Sequence, residues 1–206
     1  GNLASKVLGF TGSDNQGILG LESRYDSVLK GTDGTILTLT DFQGIEIESA
    51  AEERVEPVQG DSLYLSLDYT MQSFAQQAAE KVLKEKQAKS VSVILMNPQN
   101  GEIYAMVNVP EYDLNEPYEL LSVYESGEGS ENDKLNNMWR NPLISDSYEP
   151  GSTFKIVTAT AALEEGKVSL NDTFHCPGYK IVEDKKIRCH KTQGHGTETF
   201  KEGVMN

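Results

Sequence analysis

The sequence predicts a mixed fold, an α+β module over residues 1–60 followed by an α/β part over 61–206, and three observations carry that expectation. Up to about residue 60 the chain is rich in Gly, Asp and Thr, with only short apolar stretches. At Leu63 the periodicity changes, and helical spacing takes over beyond Asp68. Two β-rich runs then follow across an Asn-Gly turn, and a strongly apolar helical stretch begins near Ser152.

The elements follow in order. Leu21 to Leu29 reads as a short helix. Thr35 to Thr40 and Gly44 to Glu48 read as strands, with Gly31–Gly34 and Asp41–Gly44 as turns. Leu63, Leu65 and Leu67 alternate with Tyr64 and Ser66, which suggests a strand buried on one face. Asp68 is the expected N-cap of an amphipathic helix over 69–88, with Met71, Phe74, Ala75, Ala78, Val82 and Leu83 at helical spacing. Val91–Met96 and Ile103–Val107 should form a hairpin. Residues 111–133 hold eight acidic residues, with Pro117, Gly127 and Gly129 as breakers, and read as a solvated surface loop. Ser152 to Glu165 should be a helix buried on most sides, opened by Pro150-Gly151 and ended by Gly166.

Composition narrows the function. The chain has 206 residues, enough for one large domain or two small ones. A net charge of -14 argues against nucleic acid as a partner, since phosphates need a basic footprint. It also disfavours docking on an anionic membrane surface. No apolar run approaches the roughly 18 residues of a membrane span. The start has no signal-peptide pattern, and the end reads as cut rather than finished.

Ser152 and Lys155 carry the chemistry. Three residues apart at the start of a helix, their side chains share a face. A serine hydroxyl is a poor nucleophile until a base takes its proton. Lys155 can be that base only while neutral, a state favoured by burial and by the positive end of the helix dipole. The Ser152 backbone N–H could donate to a developing oxyanion. Ser-x-x-Lys alone arises by chance in many chains, but here it opens an apolar helix after Pro-Gly. Cys176 and Cys189 are the right number for one disulfide. With His190 and His195 they could also be read as a zinc set, although no Cys-x-x-Cys pair is present, and free thiols are the third reading. His195, between two glycines, reads as a turn residue near the cleft.

Tyr148-Glu149-Pro150-Gly151-Ser152-Thr153-Phe154-Lys155 resembles the first motif of class B penicillin-binding proteins, whose fold is shared with serine β-lactamases. Ala4–Phe10, Gly17–Leu21, Tyr25-Asp26 and Leu29-Lys30-Gly31 resemble the pedestal of that family. Leu65-Ser66-Leu67-Asp68 with Gln72 resembles the opening of its transpeptidase domain. Asn97-Pro98, Gly101–Met106, Val109–Asn115 and Gly194-His195-Gly196 also fit, and the spacing and cysteine pair are most similar to sporulation-type members of Gram-positive bacteria.

The resemblance implies a peptidoglycan D,D-transpeptidase, with no cofactor and no metal. Ser152 would be acylated by stem peptides ending in D-Ala-D-Ala, or by β-lactams, with Lys155 as proton acceptor. It implies residence on the extracytoplasmic face of the bacterial cell membrane, with the anchor helix outside this chain, and partners among other cell-wall synthesis proteins. A serine β-lactamase or β-lactam sensor, and a non-enzymatic interaction module, are the alternatives. Ser130-Glu131-Asn132 and Ser169-Leu170-Asn171 match the family's second motif only by chance, and no Lys-Thr-Gly occurs. The expectation is therefore an N-terminal portion, inactive alone. It should have an open strand edge, with mobility near Ser152 or after Cys176, or a homodimer through that edge.

Overall fold

A computed structural model describes residues 1–37 and 53–206 of the chain. The strands expected at Gly44–Glu48 and beyond Leu37, and the turn at Asp41–Gly44, lie outside the described residues. The rest divides into two compact units, Gly1–Asp146 and Ser147–Asn206, each described by itself.

The first unit opens with three short helices, α1 (Ser5–Leu8), α2 (Gly20–Arg24) and α3 (Asp26–Leu29). The helix expected over Leu21 to Leu29 is thus two, broken at Tyr25. Strands β1 (Thr35–Leu37) and β2 (Glu53–Val55) pair antiparallel. No strand forms at Leu63–Leu67, which is a correction: Asp68 N–H reaches Tyr104 C=O at 2.9 Å and Ser66 Oγ reaches Ile103 C=O at 2.9 Å, with no ladder of backbone bonds between them.

Helix α4 (Tyr69–Lys86) starts where the sequence places it. Asp68 caps it by accepting from Met71 N–H at 2.7 Å. Its buried face is only partly the expected one, since Ala75 and Leu83 pack against the core but do not define the face. Gln72, Gln76 and Ala79 are buried, whereas Phe74, Met71 and Val82 are exposed. The reason is polar: the Gln72 amide donates to Met106 C=O at 3.0 Å and accepts from Met106 N–H at 2.8 Å, satisfying a strand's backbone inside the unit. That strand is β4 (Ile103–Val109), paired antiparallel with β3 (Val91–Met96) across the expected turn. Ala79, Val107 and Val109 form one core cluster there.

The acidic stretch is the largest correction in this unit. It is not one solvated loop: Glu111 and Tyr112 are buried, and the segment forms α5 (Ser122–Glu125) and then α6 (Glu131–Trp139). Phe10, Tyr112, Leu135 and Met138 make the second core cluster. Glu111 escapes the surface because three donors surround it: Ser5 Oγ at 2.5 Å, Lys6 N–H at 3.2 Å and Asn108 N–H at 3.0 Å. Ser130 has a structural task, capping α6 through a reciprocal box with Asp133. Helix α7 (Pro142–Ser145) follows, capped by Asn141, whose side chain also accepts from Asn108 Nδ2 at 2.9 Å.

The second unit holds a 3-10 turn (Gly151–Phe154), α8 (Lys155–Glu164), four short strands and α9 (Phe200–Met205). Strand β5 (Thr173–Cys176) pairs with β8 (Gly196–Thr199), and β6 (Tyr179–Val182) pairs with β7 (Lys185–Arg188), both antiparallel. Ser169 closes a turn by donating from Oγ to Asp172 at 2.7 Å, so the second Ser-x-Asn match also has a local role. Among the described residues no helix is long and apolar enough to cross a membrane.

Candidate active site

Ser152 sits in the 3-10 turn, one turn ahead of α8. The approach needs Gly151, whose φ of +59° lies in the left-handed region that side chains disfavour. Pro150 precedes it with helical dihedrals, and Thr153 Oγ1 donates to Pro150 C=O at 2.7 Å, fixing the turn. The backbone then runs in helical geometry through Phe154 and Lys155 into α8.

The expectation of a buried helix starting at Ser152 is corrected on two points. The α-helix proper starts at Lys155, and no residue of it is buried. Ile156 is 70 % exposed and Val157 56 %. The apolar residues of α8 have no full cover among the described residues, which do not provide the burial anticipated around Lys155.

Ser152 and Lys155 nevertheless face one space. They line an open cleft of about 980 Å³, together with Ala159 from α8, Cys189 and His190 after β7, and Val204 from α9. No hydrogen bond joins Ser152 to Lys155 among the described residues. Catalytic hydrogen bonds are often long in unliganded enzymes and tighten when substrate arrives, so the shared wall is the informative observation.

A second group of reactive side chains stands on the same unit. Cys176 ends β5 and Cys189 follows β7; both are free, half-buried thiols. Their sulfurs and a ring nitrogen of His195 lie within 4.8 Å of one another. The S–S bond expected as one reading of the pair is not formed in this arrangement. The His195 backbone N–H, the His195 ring and the Gly178 N–H all face the Cys176 sulfur and pull its pKa down to about 7. His195, read from the sequence as a turn residue, lies just before β8, and its side chain is 12 % exposed, with Glu198 at 3.9 Å. Sequence reasoning missed Glu198 and the α9 wall of the cleft. The one available signal was the Thr199–Glu202 spacing, which makes a capping box at the start of α9.

Comparison with known proteins gives the family. Residues 91–206 match the family of the penicillin binding protein transpeptidase domain, and residues 2–65 match the penicillin-binding protein dimerisation domain. The chain is 38% identical to stage V sporulation protein D of Bacillus subtilis over 100% of its own length and 30% of that protein's. It is 35% identical to the probable peptidoglycan D,D-transpeptidase PenA of Neisseria meningitidis, covering 88% of this chain and 29% of the relative. Penicillin binding protein 2X from Streptococcus thermophilus superposes with a TM-score of 0.75 at 25% identity, covering 99% of this chain and 30% of that one. Penicillin binding protein 3 from Mycobacterium tuberculosis, in complex with aztreonam, gives 0.69 at 28% identity over 96% of this chain and 37% of its own. The chain thus spans about a third of the length of these relatives. With a transpeptidase-domain match over more than half of its residues, the chain belongs to the penicillin-binding protein transpeptidase family.

Proposed function

We propose that this chain is the front portion of a peptidoglycan D,D-transpeptidase in which Ser152 is the acylated nucleophile and Lys155 its base. The observation that carries the reading is the presence of both residues in the lining of one cleft, at a Pro-Gly turn leading into a helix. In the reaction, Ser152 Oγ attacks the carbonyl carbon of the D-Ala-D-Ala amide while Lys155 takes the hydroxyl proton. The Ser152 N–H receives part of the oxyanion charge. The C–N bond breaks, D-alanine leaves with a proton, and the acyl group passes to an amine of a neighbouring strand, which frees Ser152.

Residues 1–60 serve as a pedestal and 61–206 as the opening of the transpeptidase domain. The protein works on the extracytoplasmic face of the cell membrane with other cell-wall synthesis proteins. For the partners, support comes from Helicobacter pylori penicillin-binding protein 2, which forms a complex with MreC. A β-lactamase reading has less support, since relatives across the chain's length are transpeptidases.

The 206-residue chain alone is not competent. No Lys-Thr-Gly occurs in the 206 residues, so the family's strand with the second oxyanion donor is not found in them, and losing one such donor costs on the order of 100- to 1000-fold in rate. Labelling with fluorescent penicillin tests both statements. The full-length protein should be labelled at Ser152 and the Ser152→Ala variant should not. The isolated chain should label far more slowly. Undiminished labelling of Ser152→Ala would end the assignment.

A further inference from the structure

We propose that Cys176, Cys189 and His195, with His190 as fourth ligand, form a zinc site that clamps the loop lining the cleft. The inference starts from distances. Zinc takes sulfur at about 2.3 Å and imidazole nitrogen at about 2.0–2.1 Å in a tetrahedron, so a sulfur and a nitrogen on one ion lie about 3.6 Å apart. Cys189 Sγ stands 3.6 Å from His195 Nδ1 and 3.8 Å from His190 Nδ1. The two imidazoles are neighbours, with ring centroids 5.0 Å apart. The full Cys176–Cys189–His195 set spans no more than 4.8 Å between ligand atoms.

The backbone is built to bring these groups together. Cys176 pairs with Gly196 across β5 and β8, which sets His195 beside it. Cys189 N–H donates to Gly178 C=O at 2.9 Å, tying the second cysteine to the turn after the first. Gly194 permits the close approach: a Cβ there would sit 2.3 Å from Cys176 C=O, nearer than any side chain tolerates. A disulfide explains the two sulfurs but leaves the imidazoles without a part. A cation uses all four groups, and Glu198, 3.9 Å from His195 Nδ1 and 11 % exposed, adds further negative charge.

Binding exchanges the thiol protons for Zn²⁺, so each cysteine gives up the proton it still carries, with no redox partner involved. Cys189 and His190 line the cleft of Ser152 and Lys155, so the ion would fix that wall. The site does not depend on the transpeptidase reading and would stand if that reading failed.

Cobalt substitution in the purified 206-residue chain, reduced by a phosphine, tests the proposal. One Co²⁺ per chain should produce thiolate-to-cobalt charge transfer and the intense visible bands of a tetrahedral site, bleached by one equivalent of Zn²⁺. Cys189→Ser and His195→Asn should each weaken zinc binding by about 100-fold or more, and His190→Ala by roughly tenfold. His175, the third histidine, lies outside the cluster, so His175→Ala should bind as the parent does. The wild-type spectrum is decisive even where a variant fails to fold. A weak octahedral spectrum overturns the proposal, as does equal binding by a Cys176→Ser/Cys189→Ser double variant. So does a chain that isolates as the stoichiometric disulfide and gives no cobalt spectrum after reduction.

Discussion

The segments Gly1–Asp146 and Ser147–Asn206 hold their shape by different means. In the first, every buried hydrophobic residue of the described chain is found, from Ala4 to Met138, and buried polar groups such as Gln72 and Glu111 are hydrogen-bonded into the same core. In the second, Gly178 alone is buried, while Phe154, Ile156, Val157, Val204 and Met205 are all more than half exposed. Yet the second segment holds Ser152, Lys155 and the cysteine–histidine cluster. A region with so little burial gains little from the hydrophobic effect, so short-range devices carry more of its order: turns, caps and two-stranded pairings. The reactive groups therefore stand on the part of the chain least able to fix them by packing.

The contrast can be broken most sharply at Lys155. In the full-length protein, Lys155→Ala should slow penicillin acylation by about 100- to 10,000-fold, the usual worth of a positioned base, and leave the urea midpoint of the first segment unmoved. Stopped-flow labelling alongside urea titration measures both. An unchanged acylation rate would remove Lys155 from the chemistry.

Next in size is a cavity in the first segment. Met138 is fully buried against Phe10, Tyr112 and Leu135, so Met138→Ala should cost about 2–5 kcal/mol. Cobalt or zinc binding at Cys189 should survive that change if the two segments draw on separate sources of order. Joint loss of both in one transition would show that the contrast is false.

Glu111 sharpens the comparison through pH. Burial raises its pKa above the usual carboxylate value, against the lowering effects of Ser5 Oγ–H, the Asn108 and Lys6 N–H groups and the Lys6 charge. The folded state then holds a proton that the unfolded chain has released. Stability is therefore highest below the unfolded pKa and falls as pH rises towards the folded one. Tyr112, also buried, titrates far above that window. The acid-side slope of stability against pH should thus be reduced in wild type relative to Glu111→Gln, whose difference curve isolates this group. Asp172 and Glu202 in the second segment have lowered pKa values, held down by backbone and hydroxyl hydrogen bonds of Ser169 and Thr199, so their contributions run the other way and are lost on acidification. A difference curve of opposite sign would show that Glu111 is not held by burial.

How far this was legible in the sequence depended on the range of the contacts. Asp68 as a cap, the β3–β4 turn and the Gly151 reversal rest on neighbouring residues, and their patterns are visible in the chain itself. The buried face of α4 was misread because apolar spacing favours Phe74 and Val82, whereas the need of Met106 for a hydrogen-bonding partner selects Gln72. Family resemblance had marked Gln72 where periodicity had not. Glu111 was placed at the surface because its partners Ser5 and Lys6 lie more than a hundred residues away. The cysteine–histidine set is visible in the sequence as one of three readings, but its proximity is not. Its spacing resembles no zinc finger, and only the pairing of β5 with β8 brings Cys176 to His195.

The smallest expected effect compares one device in both segments. Ser130 caps α6 and Thr199 caps α9, and each forms the same reciprocal box with an acidic residue three positions on. Helix α6 adds buried Leu135 and Met138, whereas α9 has no buried residue. Removing a cap costs about 1 kcal/mol where the helix is otherwise held in place. Where a helix is held by little else, the loss should show as local opening rather than as a shift of global unfolding. Ser130→Ala should therefore lower the urea midpoint of the first segment. Thr199→Ala should leave that midpoint alone and speed amide exchange over Phe200–Met205. Saturating zinc should not restore the slow exchange, because the cap lies beyond the cluster at the far end of β8. Equal shifts of one shared midpoint by both substitutions would mean that the two segments unfold as a single cooperative body.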